Sequence, residues 1–119
     1  MIRFISCLRR KPEISHAEFQ RFWESEELES LIMRMAEAIG ADHYSKKRTL
    51  VVDANERIQR IRGGADPFDG VIEYWFSGRV AGLDEIFASD ANRDLMEQMN
   101  ALQSCFADLS RSCGFFTEG

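Results

Sequence analysis

The chain has 119 residues, of which 45% are hydrophobic and 29% are charged, and its formal net charge is −5. This length and composition predict one globular domain over residues 1–119, large enough to bury a hydrophobic core. The negative charge speaks against nucleic acid as a partner, because phosphate binding would rely on the short basic runs 9–11 and 46–48. No apolar run approaches the roughly 18 residues of a membrane span, and the first residues do not form a signal peptide. We therefore expect a cytoplasmic protein with no membrane partner.

The sequence contains no motif for a metal or a cofactor. Cys7, Cys105 and Cys113 are odd in number and lack the C-x-x-C spacing of a zinc or redox site, which favours reduced packing thiols. There is also no G-x-G-x-x-G, no phosphate-binding loop and no Ser-His-Asp order. We therefore expect a protein that works without a metal and without a cofactor.

The first half of the chain is organised around a long amphipathic segment. Residues 2–8 alternate as a β-strand does. Ser15 and Glu18 then form an S-x-x-E capping box, and Gly40 is suited to follow the last turn of a helix. The apolar residues between them recur mostly every three or four positions: Phe19, Phe22, Trp23, Leu28, Leu31, Ile32, Met35, Ala36 and Ile39. We expect one helix from about Ser15 to Ile39 that packs against a sheet.

The remaining elements follow from hydrophobic spacing. They are a strand over 42–52 that ends in the β-branched cluster 49–52, a strand over 68–77, helical segments over 83–87 and 92–106 divided or capped at Ser89, and a strand over 111–117. Residues 53–66 form a long connection, which is either a functional or mobile loop or contains a short helix over 54–61. The order β-α-β-β-α-β predicts the α+β ferredoxin-like fold, a four-stranded antiparallel sheet with both helices on one face.

The strand over 68–77 carries large apolar side chains on both faces. Val71 and Trp75 lie on one face, whereas Ile72 and Tyr74 lie on the other. A strand that is apolar on both sides must be covered on both sides, and the predicted helices cover only one. We therefore expect a second subunit, which makes a homodimer, or a cavity at the other face.

Several short motifs occur in a fixed order along the chain. They are Leu8-Arg9-Arg10-Lys11-Pro12, Ser15-x-x-Glu18-Phe19, Phe22-Trp23, Tyr44, Phe68-Asp69-Gly70-Val71 with Glu73 and Trp75-Phe76, and Phe106-Ala107-Asp108. In this order and spacing they resemble the EthD family of dimeric α+β barrel proteins, over nearly the whole chain. The resemblance implies a ferredoxin-like domain whose sheet pairs face to face with that of a second copy and closes a barrel. It also implies a pocket between sheet and helices in each subunit.

The resemblance narrows the function without naming a reaction. The family is named for a protein of ethyl tert-butyl ether degradation, and its superfamily includes cofactor-independent monooxygenases, polyketide cyclases, dehydratases and decarboxylases. The fold alone does not choose among them. Many relatives carry His-x-Pro a few residues after the tryptophan, where this chain has Glu27-Leu28-Glu29. Proton transfer by that histidine does not carry over, although Glu27 could have inherited a role.

His43 and Glu73 are the candidate catalytic residues. Histidine accepts a proton near neutral pH, and Tyr44 beside it is a hydrogen-bond donor; the alternative is a polar residue at a strand end. Burial beside Trp75 would raise the pKa of Glu73 and make it a usable acid or base. The alternative for Glu73 is an ion pair with Arg3, Lys46 or Arg48. His16 lies in the first helical turn, where we expect it to have a structural role.

Phe19, Trp23, Tyr44 and Trp75 are the candidate substrate-binding residues, for a small apolar or aromatic molecule. Core packing is the alternative, and the two overlap in a fold whose pocket is lined by core side chains. Two function classes follow: a cofactor-independent enzyme that acts on an aromatic or polyketide-like molecule in catabolism or secondary metabolism, or a non-catalytic small-molecule-binding or accessory protein of such a pathway. An enzyme should place His43, Tyr44 or Glu73 in a pocket, whereas a binding protein should show an apolar pocket without convergent ionisable groups.

Overall fold

The computed structural model describes residues 1–119 and shows an α+β fold with one four-stranded antiparallel sheet and five α-helices. In chain order the elements are β1 (Ile2–Leu8), α1 (His16–Trp23), α2 (Glu26–Ile39), β2 (His43–Arg48), α3 (Asp53–Arg62), β3 (Gly70–Phe76), α4 (Leu83–Ala88), α5 (Asp90–Gln103) and β4 (Cys113–Glu118). The strand order β2-β3-β1-β4 confirms the predicted ferredoxin-like arrangement. None of the helices has both the length and the apolar composition needed to cross a membrane.

Strand register divides the sheet into an inner face, which packs against the helices, and an outer face. On the inner face Phe4 lies opposite Tyr74, which lies opposite Tyr44. On the outer face Trp75 lies between Arg3 and His43 in the same way. The inner-face residues of β3 are buried, whereas its outer-face residues are only half-buried. The helices therefore cover one face of the sheet and leave the other uncovered.

The predicted single helix over residues 15–39 is wrong, because the chain breaks near Ser25 into α1 and α2. Ser25 is the N-cap of α2, and its Oγ accepts a hydrogen bond from the backbone N–H of Leu28 at 3.2 Å. The same hydroxyl donates to the carbonyl oxygen of Phe22 at 2.7 Å. One side chain thus satisfies backbone groups at both helix ends, which would otherwise lack partners within their helices.

The two outer ends of this helical region are confirmed. Ser15 Oγ accepts from the backbone N–H of Glu18 at 3.1 Å, and the Glu18 carboxylate accepts from the N–H of Ser15 at 3.5 Å. Gly40 follows α2 with φ at 73°, in the left-handed region that favours glycine.

The prediction for the second strand is too long. The N–H of Thr49 still donates to the carbonyl oxygen of Asp69 at 2.9 Å, but β3 begins at Gly70 opposite Arg48. Residues 50–52 therefore have no strand beside them, and their strand-like composition does not produce one. Their exposed fractions are 69% for Leu50, 62% for Val51 and 44% for Val52. The chain then enters α3, so residues 53–66 contain a helix, which was one of the two alternatives left open by the sequence.

The C-terminal elements follow the prediction with shifted ends. Ser89 separates α4 from α5, and its Oγ accepts from the backbone N–H of Asn92 at 3.3 Å. Helix α5 ends at Gln103 instead of Phe106, and β4 spans Cys113–Glu118 instead of 111–117.

Aromatic rings join α1 to the end of α5 and to β3. Phe19 stacks on Trp23 with ring centroids 5.4 Å apart, and Phe106 lies 5.5 Å from Phe19 and 6.4 Å from Trp23. Phe22 stacks on Phe106 at 5.3 Å. A Cβ atom at Gly70 would come within 2.5 Å of the Trp23 ring. Glycine at this position therefore lets the indole lie directly against β3.

Candidate functional site

A cavity of about 180 Å³, here called the inner cavity, lies between the inner face of the sheet and helices α2, α4 and α5. Ten of its 13 lining residues are hydrophobic, among them Phe4, Met35, Ile72, Phe87 and Met99. An apolar protein cavity of about 150 Å³ can hold one benzene molecule. The inner cavity therefore has room for a small molecule built on about one ring.

Polar groups reach the inner cavity from two sides. Ser6 and Tyr74 come from the sheet, and Asn100 and Gln103, one helical turn apart, come from α5. Burial raises the pKa of the Tyr74 phenol well above its ordinary range, and the nearby Tyr44 hydroxyl raises it further. A tyrosine phenol is neutral near pH 7 even without such a shift, so Tyr74 offers a hydrogen bond instead of a charge. The lining contains no Asp, Glu, Lys, Arg or His.

Tyr44 does not line the inner cavity but belongs to a polar network at the edge of the sheet. Its hydroxyl donates to Glu29 Oε1 at 3.3 Å, and Glu29 Oε2 lies 3.4 Å from Lys46 Nζ. Lys46 also donates to the carbonyl oxygen of Trp23, the last residue of α1. Loss of solvent contact, followed by the charge of Glu29, raises the pKa of Tyr44. This network, which sequence reasoning missed, ties β2 to the break between α1 and α2.

Phe19 and Trp23 lie in the aromatic core. Their exposed fractions are 1% and 3%, and neither lines the inner cavity. The structure gives both rings a packing role, with Trp23 held between Phe19 and Gly70. Substrate contact by either ring stays a prediction.

His43, Glu73 and Trp75 lie together on the outer face. The His43 and Trp75 rings have centroids 5.0 Å apart, and the Arg3 guanidinium lies 5.3 Å from the same indole. Glu73 is the next outer-face residue of β3, diagonal to His43 across the two strands. His43 is exposed and Glu73 is half-buried. An imidazole and a carboxylate are thus neighbours, on the face that the helices leave uncovered.

The predicted site residues therefore fall into two groups on opposite sides of the sheet. His43 and Tyr44 are adjacent in the chain, so their side chains point to opposite faces. Glu73 forms none of the predicted ion pairs, since Lys46 pairs with Glu29 instead. Glu73 lies opposite Ser45, whose Oγ is buried and has no hydrogen-bond partner.

Sequence reasoning missed the polar residues of the inner cavity. Asn100 and Gln103 are polar residues one helical turn apart beside the apolar Met96 and Met99 of α5, and this spacing is the signal that could have identified them. Ser6 gives the same signal as a polar residue at an inner position of β1. In the sequence Tyr74 is one of the large side chains of the strand over 68–77, and a buried ring that also borders a cavity gives no separate signal.

The fold and the inner cavity define a class: an α+β ferredoxin-like domain with an apolar site between its sheet and its helices. The family model of the EthD domain matches residues 11–110, so the chain belongs to the EthD family. No curated protein matches the chain. No group of three or more His, Cys, Asp and Glu side chains converges in a way that could hold a metal ion.

Proposed function

We propose that this EthD-family protein binds a small apolar or aromatic organic molecule in the inner cavity, as a cytoplasmic, cofactor-independent component of a degradation or secondary-metabolic pathway. The observation that carries the proposal is the inner cavity itself, an apolar space of about 180 Å³ with neutral polar groups on two sides. An apolar lining with a few placed polar groups is the usual composition of a small-molecule site. Family membership supports small-molecule metabolism.

The binding form of this proposal is the one that the cavity supports best. Apolar walls bind a ring by excluding water from it, and Tyr74, Ser6 and Gln103 orient one polar substituent. No ionisable group other than the neutral Tyr74 phenol lines the site. A protein of this form does not transform its ligand but stores it, carries it or delivers it to an enzyme.

The enzyme form assigns proton transfer to His43 and Glu73, with Trp75 as the positioning residue; Tyr44, which was expected to share this role, lies on the other face of the sheet. The reaction would be of the dehydratase, cyclase, decarboxylase or monooxygenase type. The supporting observation is that an imidazole and a carboxylate are diagonal neighbours beside an indole on one face. Because both groups face water in the single chain, this form needs a second subunit to enclose them.

The same outer face supports a homodimer. Ile5, Val71, Trp75 and Phe115 lie on it around Glu73, and Phe115 is 45% exposed. An apolar face that the domain's own helices do not cover is a natural interface between copies. In this proposal two sheets meet face to face and enclose the candidate catalytic residues of both subunits.

Calorimetric titration with p-cresol tests the ligand site. We expect Tyr74→Phe to weaken p-cresol binding about three- to tenfold, because the ring remains and one hydrogen bond is lost. Tyr44→Phe is the matched control, since it removes the same hydroxyl from the residue directly opposite, outside the cavity. Toluene, which lacks the hydroxyl, should bind both variants as it binds the wild type. Equal loss in the two variants, or no binding of either probe at millimolar concentration, would contradict the proposal.

A further inference from the structure

A second cavity, here called the polar cavity, lies at the other end of the sheet and has a volume of about 700 Å³. It is bounded by the segment between β1 and α1, the segment between β2 and α3, helix α3, and the residues that precede β3. It shares no lining residue with the inner cavity. Its volume falls within the roughly 300–1,000 Å³ that is usual for sites of small organic ligands.

Four guanidinium groups line the polar cavity, and only one of them pairs with a carboxylate. Arg10 Nε lies 3.8 Å from Asp69 Oδ1. Arg9 donates only to backbone carbonyl oxygens, the nearer being that of Asp66 at 2.9 Å, and its guanidinium lies 4.2 Å above the Phe68 ring. The side chains of Arg60 and Arg111 form no hydrogen bond and no ion pair. Three guanidinium groups thus have no carboxylate within ion-pair distance, in a chain whose net charge is −5. Asp108 lies outside the lining, and its pKa is lowered by the hydrogen bond from Ser110 and, to a smaller extent, by the charge of Arg111.

The acidic side chains of the polar cavity do not neutralise these groups. Asp66 accepts a hydrogen bond from Gln59 at 2.8 Å, and Asp69 accepts one from the backbone N–H of Arg10 at 2.7 Å. Glu56 is the third carboxylate of the lining and lies within 4.0 Å of no basic group. With four guanidinium groups against three carboxylates, the lining has an excess of positive charge even when His16 is counted as neutral. This excess favours an anionic ligand.

Another part of the lining is apolar. Leu50, Val51 and Val52, the residues that have no strand beside them, line the polar cavity together with Phe68 and Pro67. Leu50 and Val51 remain more than half exposed, at 69% and 62%. A ligand that fits both parts would carry an anionic group at one end and an apolar body at the other.

We infer that the polar cavity is a second binding site, for an organic oxyanion that has an apolar body and is held by Arg9, Arg60 and Arg111. The guanidinium group is a planar fork of N–H donors, which matches two oxygens of a carboxylate or a phosphate. Residues 50–52 and Phe68 cover the apolar body. This inference goes beyond the function proposed above and does not depend on it, because the two cavities are lined by different residues.

Titration calorimetry at low ionic strength tests this site with benzoate and phenyl phosphate, and with benzamide as the uncharged match. We expect both anions to bind and benzamide to bind at least about tenfold more weakly, since charge-assisted hydrogen bonds are the stronger kind. Whichever anion binds more tightly identifies the source of the oxyanion as a carboxylate or a phosphate ester. Equal affinity for benzamide and benzoate, or no binding of either anion at millimolar concentration, would overturn the inference.

A pair of variants locates the bound anion. Arg60→Gln combined with Arg111→Gln should weaken binding of the preferred anion about tenfold or more, because two charge-assisted contacts are lost. Arg57→Gln is the control, since Arg57 also lies on α3 but outside the lining. If Arg57→Gln weakens binding as much as the double variant does, the anion responds only to the overall charge of the surface. That result would contradict a specific site in the polar cavity.

A competition experiment separates this inference from the proposal for the inner cavity. Saturation with toluene should leave benzoate affinity unchanged, and Tyr74→Phe should do the same, because neither touches the polar cavity. In amide NMR spectra benzoate should shift signals of residues 50–55, whereas toluene should shift those of residues 96–103. Displacement of benzoate by toluene would show that both probes use one site, and this would contradict two separate sites.

Discussion

The two faces of the sheet differ in the environment that they offer a ligand, although they are built from alternate residues of the same strands. The inner face borders the inner cavity, beneath the helices, but presents only neutral groups to it, such as the Tyr74 phenol. The outer face presents the His43 imidazole and the Glu73 carboxylate but is open to water in the single chain. The cavity and the candidate acid–base residues therefore lie on opposite sides of the sheet. In the proposed function, one chain suffices to bind a small molecule, whereas the proposed chemistry at His43 and Glu73 requires a second copy.

The largest effect is expected at the outer face, where the proposed homodimer would place the second copy. Ile5→Glu should convert a dimer into a monomer of 13.7 kDa, because an unpaired charge buried in an interface costs roughly 3 kcal/mol or more. Ile61→Glu is the matched control, since the same change falls on a side chain that is 84% exposed on α3. Light scattering at micromolar concentration gives both masses.

A wild-type mass near 13.7 kDa in that experiment would contradict the claim that the outer face is a dimer interface. The outer face would then be a solvated surface, and the enzyme form of the proposal would lose the enclosure that it requires. The binding form would remain, because the inner cavity lies within one chain.

The next effect concerns the packing that supports the inner face. Gly70→Ala should destabilise the fold by about 1–3 kcal/mol, because the added methyl would lie 2.5 Å from the Trp23 ring and the core must shift. Gly78→Ala adds the same methyl where no atom lies within 4 Å. Urea unfolding monitored by tryptophan fluorescence compares them. Equal stability of the two variants would show that the indole does not rest on β3 as described.

Substitutions at His43 and Glu73 decide between the two forms of the proposed function. If the protein is an enzyme, His43→Ala and Glu73→Gln should each lower turnover at least about tenfold, equivalent to about 1.4 kcal/mol, with little change in melting temperature. Turnover of the true substrate that survives both changes would leave only the binding form. In that case ligand affinity should stay constant between about pH 5 and 8, the range in which an unperturbed histidine titrates.

The smallest effect is expected away from both faces. Ser15→Ala should cost about 1 kcal/mol, because it removes the hydroxyl that accepts from the N–H of Glu18, and p-cresol affinity should not change. Ser30→Ala, on the exposed side of α2, is the control and should leave stability nearly unchanged. A loss of p-cresol binding by a folded Ser15→Ala variant would mean that the cap supports the site as well as the helix.

Local signals in the sequence predicted the elements well where the chain itself satisfies them. The capping box at Ser15, the left-handed Gly40 and the cap at Ser89 depend on neighbours a few residues away, and all three are confirmed. The break at Ser25 also had a local signal: Trp23 and Leu28 are five positions apart, which departs from helical spacing. The error lay in extending an overall pattern across that gap.

The remaining errors come from contacts that no local pattern contains. Residues 50–52 have strand-like side chains, but β3 starts too late to pair with them. The position of His43 beside Trp75 depends on strand register, which pairs residues 32 positions apart. Strand alternation alone, however, shows that His43 and Tyr44 point to opposite faces. The separation of the two groups of candidate residues was in part predictable.

The most direct test of the central claim is a crystal structure of the protein with bound p-cresol. We expect density for the ring inside the inner cavity, between β3 and α5, with its hydroxyl within hydrogen-bond distance of Tyr74, Ser6 or Gln103. Density for the ring on the outer face against Trp75 and His43, with the inner cavity unchanged, would contradict the claim that the inner cavity is the ligand site.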